Sequence, residues 1–265
     1  MQRLWPGTLN DPAKVLVQVR EETLPSPPTS KLQCIRGGQE LLGSAQEFLI
    51  EVQPLEDPQN LPLEPVPGDD GEPLVCTVEI AAEPVSFRAW VANVGRCPVY
   101  LLDTNLPTNQ PHFRDLTQHV YGGDDSTRIM QELLLGAGGV RLLRRLDVEP
   151  SVYHMNEGHA AFLALELMSE RIADGAGFDA ALAGVKQHCL FTTHTPVPAG
   201  HDRFSRELMD YAARHFHSQL NVSANELLAL GGVNPSDDNE EFCMTVLALK
   251  AARAANGVSE LHGQV

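Results

Sequence analysis

A chain of 265 residues has room for one large or two small domains. Its 35 Asp and Glu against 19 Lys and Arg give a net charge of −16. That balance repels phosphate backbones and argues against nucleic acid and anionic membrane as partners. No apolar run approaches the roughly 20 residues of a membrane span, and residues 1–10 lack the charged-then-apolar pattern of a secretory signal. Five scattered cysteines (Cys34, Cys76, Cys97, Cys189, Cys243), odd in number and without a CxxC pair, point to a reduced, cytoplasmic protein that uses them as small core hydrophobes.

Residues 1–47 carry no recognisable chemistry. Pro25-Ser26-Pro27-Pro28-Thr29-Ser30 is hostile to helix, Val15-Leu16-Val17 suggests a strand, and residues 39–50 suggest a short helix. A Pro- and acid-rich stretch then ends in the turn signal Pro67-Gly68-Asp69-Asp70-Gly71. Strands are predicted over 74–80, 85–91 and 98–103, the first two joined as a hairpin through Glu83-Pro84. Residues 126–146 show helical spacing, with Gly136, Gly138 and Gly139 inside. Each glycine costs up to about 1 kcal/mol against alanine, so they mark close packing or a break. Asp124, Asp125 and Ser126 suit the helix start, and Arg141, Arg144 and Arg145 its end.

Beyond this, strands at 151–155 and 187–193 alternate with helices at 159–172, 178–186, 205–217 and 240–255. Alternation of this kind predicts a parallel α/β sheet, preceded by a small antiparallel β part.

The most informative turn is Asn156-Glu157-Gly158-His159, which closes a short apolar strand and opens a helix. A second short strand ends in Thr192-Thr193-His194-Thr195-Pro196. Two strands that deliver polar groups at their carboxyl ends can wall a ligand crevice in an open α/β sheet. For the first turn two readings stand: a polar substrate site, or a helix cap with Asn156 as N-cap and Glu157 favouring the dipole. His154 and His159 are five apart, not the four that sets two imidazoles on one helix face, so spacing argues against a zinc site built from His154, Glu157, His159, His194 and His201. His215 and His217 read as complements to a helix dipole. There is no GxSxG, GxGxxG or P-loop.

The chain also resembles the short bacterial-type branch of the α-glucan (glycogen or maltodextrin) phosphorylases. The resemblance runs, in family order, through Pro98-Val99-Tyr100-Leu101-Leu102-Asp103-Thr104, Tyr121-Gly122-Gly123-Asp124, Gln131-Glu132-Leu133-Leu134-Leu135-Gly136 and Gly138-Gly139-Val140-Arg141. It continues through His154-Met155-Asn156-Glu157-Gly158-His159, residues 191–202, Met244-Thr245-Val246-Leu247-Ala248-Leu249 and Asn256-Gly257-Val258-Ser259. It covers roughly residues 48–265; residues 1–47 do not share it.

The resemblance implies part of the Rossmann-like N-terminal domain of a two-domain, GT-B type glycosyltransferase, mainly β over 48–125 and α/β over 126–265. The implied reaction moves a terminal glucosyl unit from an α-1,4-glucan to inorganic phosphate, giving glucose 1-phosphate. His194 matches the catalytic histidine beside the developing oxocarbenium charge. Asn156, Glu157 and His159 match the turn beside the glucosyl unit, with Glu157 where longer members have aspartate, and Asp124 closes a loop near the site mouth. Family members carry pyridoxal 5'-phosphate on a lysine of the C-terminal domain and are commonly homodimers. The glycine-rich phosphate loop and the C-terminal domain have no counterpart in this sequence, and Glu260 and Gln264 stand where close relatives have lysine and glutamate. The expectation is therefore an incomplete chain without phosphorolysis activity of its own. A non-catalytic carbohydrate-binding or interaction remnant is the competing reading, and a zinc-dependent hydrolase the third.

Overall fold

The computed structural model describes residues 35–36, 48–49, 63–95, 97–118, 124–194, 200–234, 237 and 240–258. The expected strand at 15–17 and the loops at 121–123 and 195–199 lie outside them. Strands β1 (Ile35–Arg36) and β2 (Phe48–Leu49) form an antiparallel pair in a small unit of their own. The end of the predicted 39–50 helix is thus extended.

Among the described residues of the larger unit, an antiparallel sheet comes first. Strand β5 (Glu83–Val94) pairs with β4 (Val75–Ile80), β3 (Glu64–Pro65) and β6 (Cys97–Asp103). Strict alternation in β4 and early β5 sends Cys76, Val78, Ile80, Val85, Phe87 and Ala89 into the core. The hairpin turn lies at Ala81 and Ala82, both at positive φ (53° and 60°), so Glu83-Pro84 is strand rather than turn. Asp103, at the end of β6, accepts hydrogen bonds from Arg88 Nε and Trp90 Nε1 at 2.8 and 3.0 Å. A short helix, α1 (Pro111–Arg114), follows.

Helix α2 (Asp125–Leu133) runs through a π-helical turn (Leu134–Gly138) into α3 (Gly139–Arg145). Of the glycines predicted here to mark close packing or a break, Gly136 marks close packing: an added Cβ would stand 2.6 Å from the Leu163 nitrogen and 2.9 Å from the Phe162 carbonyl carbon. Arg141 and Arg144 form two-pronged ion pairs with Glu166 and Glu170, at 2.6–3.1 Å, tying α3 to α4 (Leu163–Ala173) as well as complementing a helix end.

The parallel sheet has the order β11–β8–β7. Strand β7 (Tyr153–Asn156) leads through a 3₁₀ turn (Gly158–Ala160), α4 and α5 (Phe178–His188) into β8 (Cys189–Thr193). The predicted 205–217 helix is two helices, α6 (Arg206–Ala212) and α7 (His215–Leu220), preceded by β9 (Arg203–Phe204). Helix α8 (Ala224–Ala229), which starts with a Ser223–Glu226 capping box, has no counterpart in the sequence reading. The predicted 240–255 helix divides into β10 (Phe242–Cys243), α9 (Met244–Ala251) and β11 (Ala254–Gly257). The fold is thus mixed α/β, with one parallel sheet and small antiparallel ones, as expected in outline. Among the described residues, Cys76, Cys97, Cys189 and Cys243 are free thiols, and no helix is long and apolar enough to cross a membrane.

Candidate functional site

Three parallel strands bring one polar residue each to the same register at their carboxyl ends. Asn156 of β7 is opposite Thr192 of β8, and Thr192 is opposite Asn256 of β11. The Thr192 hydroxyl donates to Asn256 Oδ1 at 2.9 Å. It therefore accepts from His154 Nε2, at 2.7 Å, which makes Nε2 the protonated nitrogen. Desolvation, and the neighbouring His194 after it, lower the pKa of His154.

The chain then turns sharply. Glu157 adopts φ 64°, ψ 179°, a region that glycine occupies readily and other residues avoid. Two bonds hold it there. Its N–H donates to the Thr192 carbonyl at 2.8 Å, and its Oε1 accepts from the His194 backbone N–H. Glu157 is buried beneath the strand ends, whereas Asn156 is exposed and His194 half-exposed. The His194 ring donates through Nε2 to Asn156 Oδ1. The structure thus brings Asn156, Glu157 and His194 together in one hydrogen-bonded set at the end of the sheet. Asn156 is not the N-cap of the helical turn, a place that Glu157 takes without a side-chain cap bond.

Gly158 follows because the turn has no space for more. A Cβ there would sit 3.1 Å from Met244 Cβ and from the Thr245 nitrogen, at the start of α9. His159 then projects into an ion network. Its Nδ1 lies 2.8 Å from Asp202 Oδ2, 3.2 Å from Glu132 Oε1 and 2.8 Å from Arg128 Nη2. Arg128 also contacts Asp202 and Glu132, each at 3.2 Å. Burial opposes the charge on His159, but hydrogen bonds to Asp202 and Glu132 outweigh it and lift the pKa to about 9. Asp202 is held well below the usual carboxylate range: burial works against this, and bonds to His159 and Glu132 prevail with help from Arg128. Burial pushes Glu132 up to about 8. With His159 protonated, its short approach to Arg128 is a like-charge contact, and Asp202, bonded to both cations, holds them together.

Asp124, the remaining predicted site residue, caps α2. Its Oδ1 accepts from the Thr127 N–H at 3.0 Å and hydroxyl at 3.2 Å, and these bonds hold its carboxyl below the usual range. It borders an open hollow of about 490 Å³ with Ser126, Ser205, Glu207 and Tyr211. His201 bonds Thr245 instead, through Nδ1 and Oγ1 at 2.9 Å.

Glu132, His159 and Asp202 offer three possible metal-ligand atoms within 4.8 Å of one another. The Arg128 guanidinium contacts all three and supplies the positive charge that a metal ion would bring. Sequence reasoning missed Arg128, Glu132, Asp202 and Asn256 as partners. Glu132, Asp202 and Asn256 lie inside the motifs quoted above, but nothing local marks their meeting.

No family model matches the chain. Individual proteins do. The glycogen phosphorylase of Mycobacterium tuberculosis is 42% identical over 238 residues, covering 84% of this chain and 27% of that protein. The maltodextrin phosphorylase of Thermococcus litoralis is 40% identical over 216 residues, 82% of this chain and 25% of its own length. The glycogen phosphorylase of Aquifex aeolicus is 32% identical over 205 residues, 77% of this chain and 30% of its own. The chain is therefore a relative of the glycogen and maltodextrin phosphorylases, homologous over most of its own length and spanning about a quarter of theirs.

Proposed function

We propose that the carboxyl ends of β7 and β8 form the glucosyl-facing wall of an α-1,4-glucan phosphorylase site. Residues 48–265 are then part of the Rossmann-like N-terminal domain of a GT-B enzyme. The observation that carries this reading is the joined set Asn156, Glu157 and His194, at the strand ends where open α/β sheets bind ligands. A sugar is recognised by fixed amide, carboxyl and imidazole groups that pair with its hydroxyls. Glu157 fixes the His194 main chain, and Asn156 fixes the His194 ring. Both devices orient the histidine before a ligand arrives, which matters where charge develops in a transition state.

In the reading proposed, the whole protein transfers a terminal glucosyl unit from glucan to inorganic phosphate, giving glucose 1-phosphate, as a cytoplasmic homodimer. The family's pyridoxal 5'-phosphate would supply its own phosphate group for acid–base chemistry. The described lysines do not fit that cofactor. Lys250 donates to the Ala229 and Gly232 carbonyls at 2.6 and 2.5 Å, and Lys186 is exposed on α5, away from the strand ends. No residue of this chain is assigned to the cofactor, and no step is derived through it.

Calorimetric titration with maltooligosaccharides tests the site. Saturable binding that weakens about tenfold or more in Asn156→Ala and His194→Ala is expected. Binding untouched by both changes would move the sugar elsewhere. The chain alone, given maltodextrin, phosphate and pyridoxal phosphate, is expected to release no glucose 1-phosphate.

A further inference from the structure

We propose that Arg128, Glu132 and Asp202 are positioning residues that clamp His159 and thereby hold the strained Glu157 turn against His194. The proposal rests on the reading of Asn156, Glu157 and His194 as the sugar wall, but its core, the mechanical link from the ion network to Glu157, is independent of any ligand.

Glu157 sits in a backbone region that costs on the order of 1–3 kcal/mol for a residue with a side chain, so its surroundings must over-determine it. On the strand side, the Thr192 carbonyl and the His194 N–H do so. On the other side, the chain is pinned two residues later. Gly158 lies against Met244 and Thr245, and the His159 ring is gripped by Arg128 and Glu132 of α2 and by Asp202. Asp202 also braces the opposing surface, because its carbonyl accepts from the Met244 N–H at 3.0 Å. One residue therefore ties both His159 and the start of α9, the two surfaces between which Gly158 is held.

The charged groups facing His159 are Arg128 and Glu132 from α2 and Asp202 before β9. The start of α9 presents Met244 and Thr245, neither of them charged. Glu132 is 1% exposed, and one of its oxygens, Oε2, has no hydrogen-bond partner. Such a buried carboxyl is destabilising in itself. Its placement makes sense if it serves the imidazole 3.2 Å away. The clamp is pH-dependent in one direction. While His159 is protonated, Asp202 bridges two cations; once it deprotonates, Asp202 holds one cation and a neutral ring, and the clamp weakens.

The test uses the intact chain and nuclear magnetic resonance. The His194 amide, bonded to a carboxylate oxygen, is expected far downfield. In Asp202→Asn it should move upfield by several tenths of a ppm or broaden, in Asp202→Glu it should largely recover, and in Arg88→Gln, a remote ion-pair control, it should stay. Maltooligosaccharide affinity should fall about tenfold in Asp202→Asn alone among these. Should Asp202→Asn fail to fold, the unmutated chain still decides. Carbon-detected spectra should show the Glu157 carboxyl signal moving together with the His159 ring signals as pH rises. A His194 amide unmoved in folded Asp202→Asn, or a His159 titration to which Glu157 does not respond, overturns the clamp. A chain that shows this linkage but binds no maltooligosaccharide keeps the clamp and rejects the sugar site.

Discussion

Replacing Glu157 by alanine and by glycine separates two terms that the structure superposes at one residue. Alanine removes the Oε1 that accepts the His194 N–H but keeps a Cβ at φ 64°, ψ 179°. It loses a charge-assisted bond worth about 1.5–3 kcal/mol and recovers no strain. Glycine loses the same bond. It also releases a conformation that costs on the order of 1–3 kcal/mol, against about 0.5–1 kcal/mol of extra chain entropy. The balance makes Glu157→Gly the more stable variant by about 1 kcal/mol, although glycine is ordinarily the more destabilising choice. Urea unfolding of the three proteins, followed by far-UV circular dichroism, measures the difference. With a slope of about 2 kcal/mol/M, 1 kcal/mol separates the midpoints by about 0.5 M. Both variants should unfold before the unmutated chain. A Glu157→Ala protein at least as stable as Glu157→Gly would refute the claim that the backbone here is held under strain.

His215 is buried, neither ring nitrogen has a hydrogen-bond partner, and burial, helped by Arg141 and His217, lowers its pKa to about 4. Its folded value lies below the unfolded value, so the unfolded chain binds more protons between about pH 4 and 6.5, and the contribution of His215 to stability is lost as pH falls through that window. His215→Leu should flatten the acid limb of a stability profile, by a few kcal/mol at most; an unchanged acid limb would count against a neutral buried ring. Gly136→Ala should destabilise by about 1–3 kcal/mol, because its Cβ meets backbone at Leu163 and Phe162. That exceeds the gain of about 1 kcal/mol from better helix propensity, and a net stabilisation in urea would show that α4 can yield. Ser223→Ala should cost about 1 kcal/mol through loss of the α8 capping box, readable as faster amide exchange in that helix.

Much of the candidate site was legible because strand ends write themselves locally. An apolar run that stops abruptly at Asn156-Glu157, or at His194, announces where a parallel strand delivers polar groups. What stayed hidden needed distant partners. Asp202 is 74 residues from Arg128, and Glu132 has the spacing of an ordinary helix charge until α2 is packed. His215, read as complementing a dipole, is instead buried at the start of α7. Strand β11, Ala254-Ala255-Asn256-Gly257, has no β-branched residue, so propensity favoured continuing α9 through it. The Ala81-Ala82 turn lacks the glycine or asparagine that positive φ normally attracts, so the local turn signal falls on Glu83-Pro84 instead. Core strands and the polar turn were therefore readable, and the devices that hold the turn were not.

The most direct test of the proposed sugar wall is to map where a glucan touches the chain. An isotope-labelled sample titrated with maltopentaose should show saturable shifts at the amides and side chains of Asn156, Glu157, His194 and Asn256, the groups gathered at the strand ends. Shifts confined to the hollow around Asp124 and Tyr211, or none at all at millimolar sugar, would contradict it.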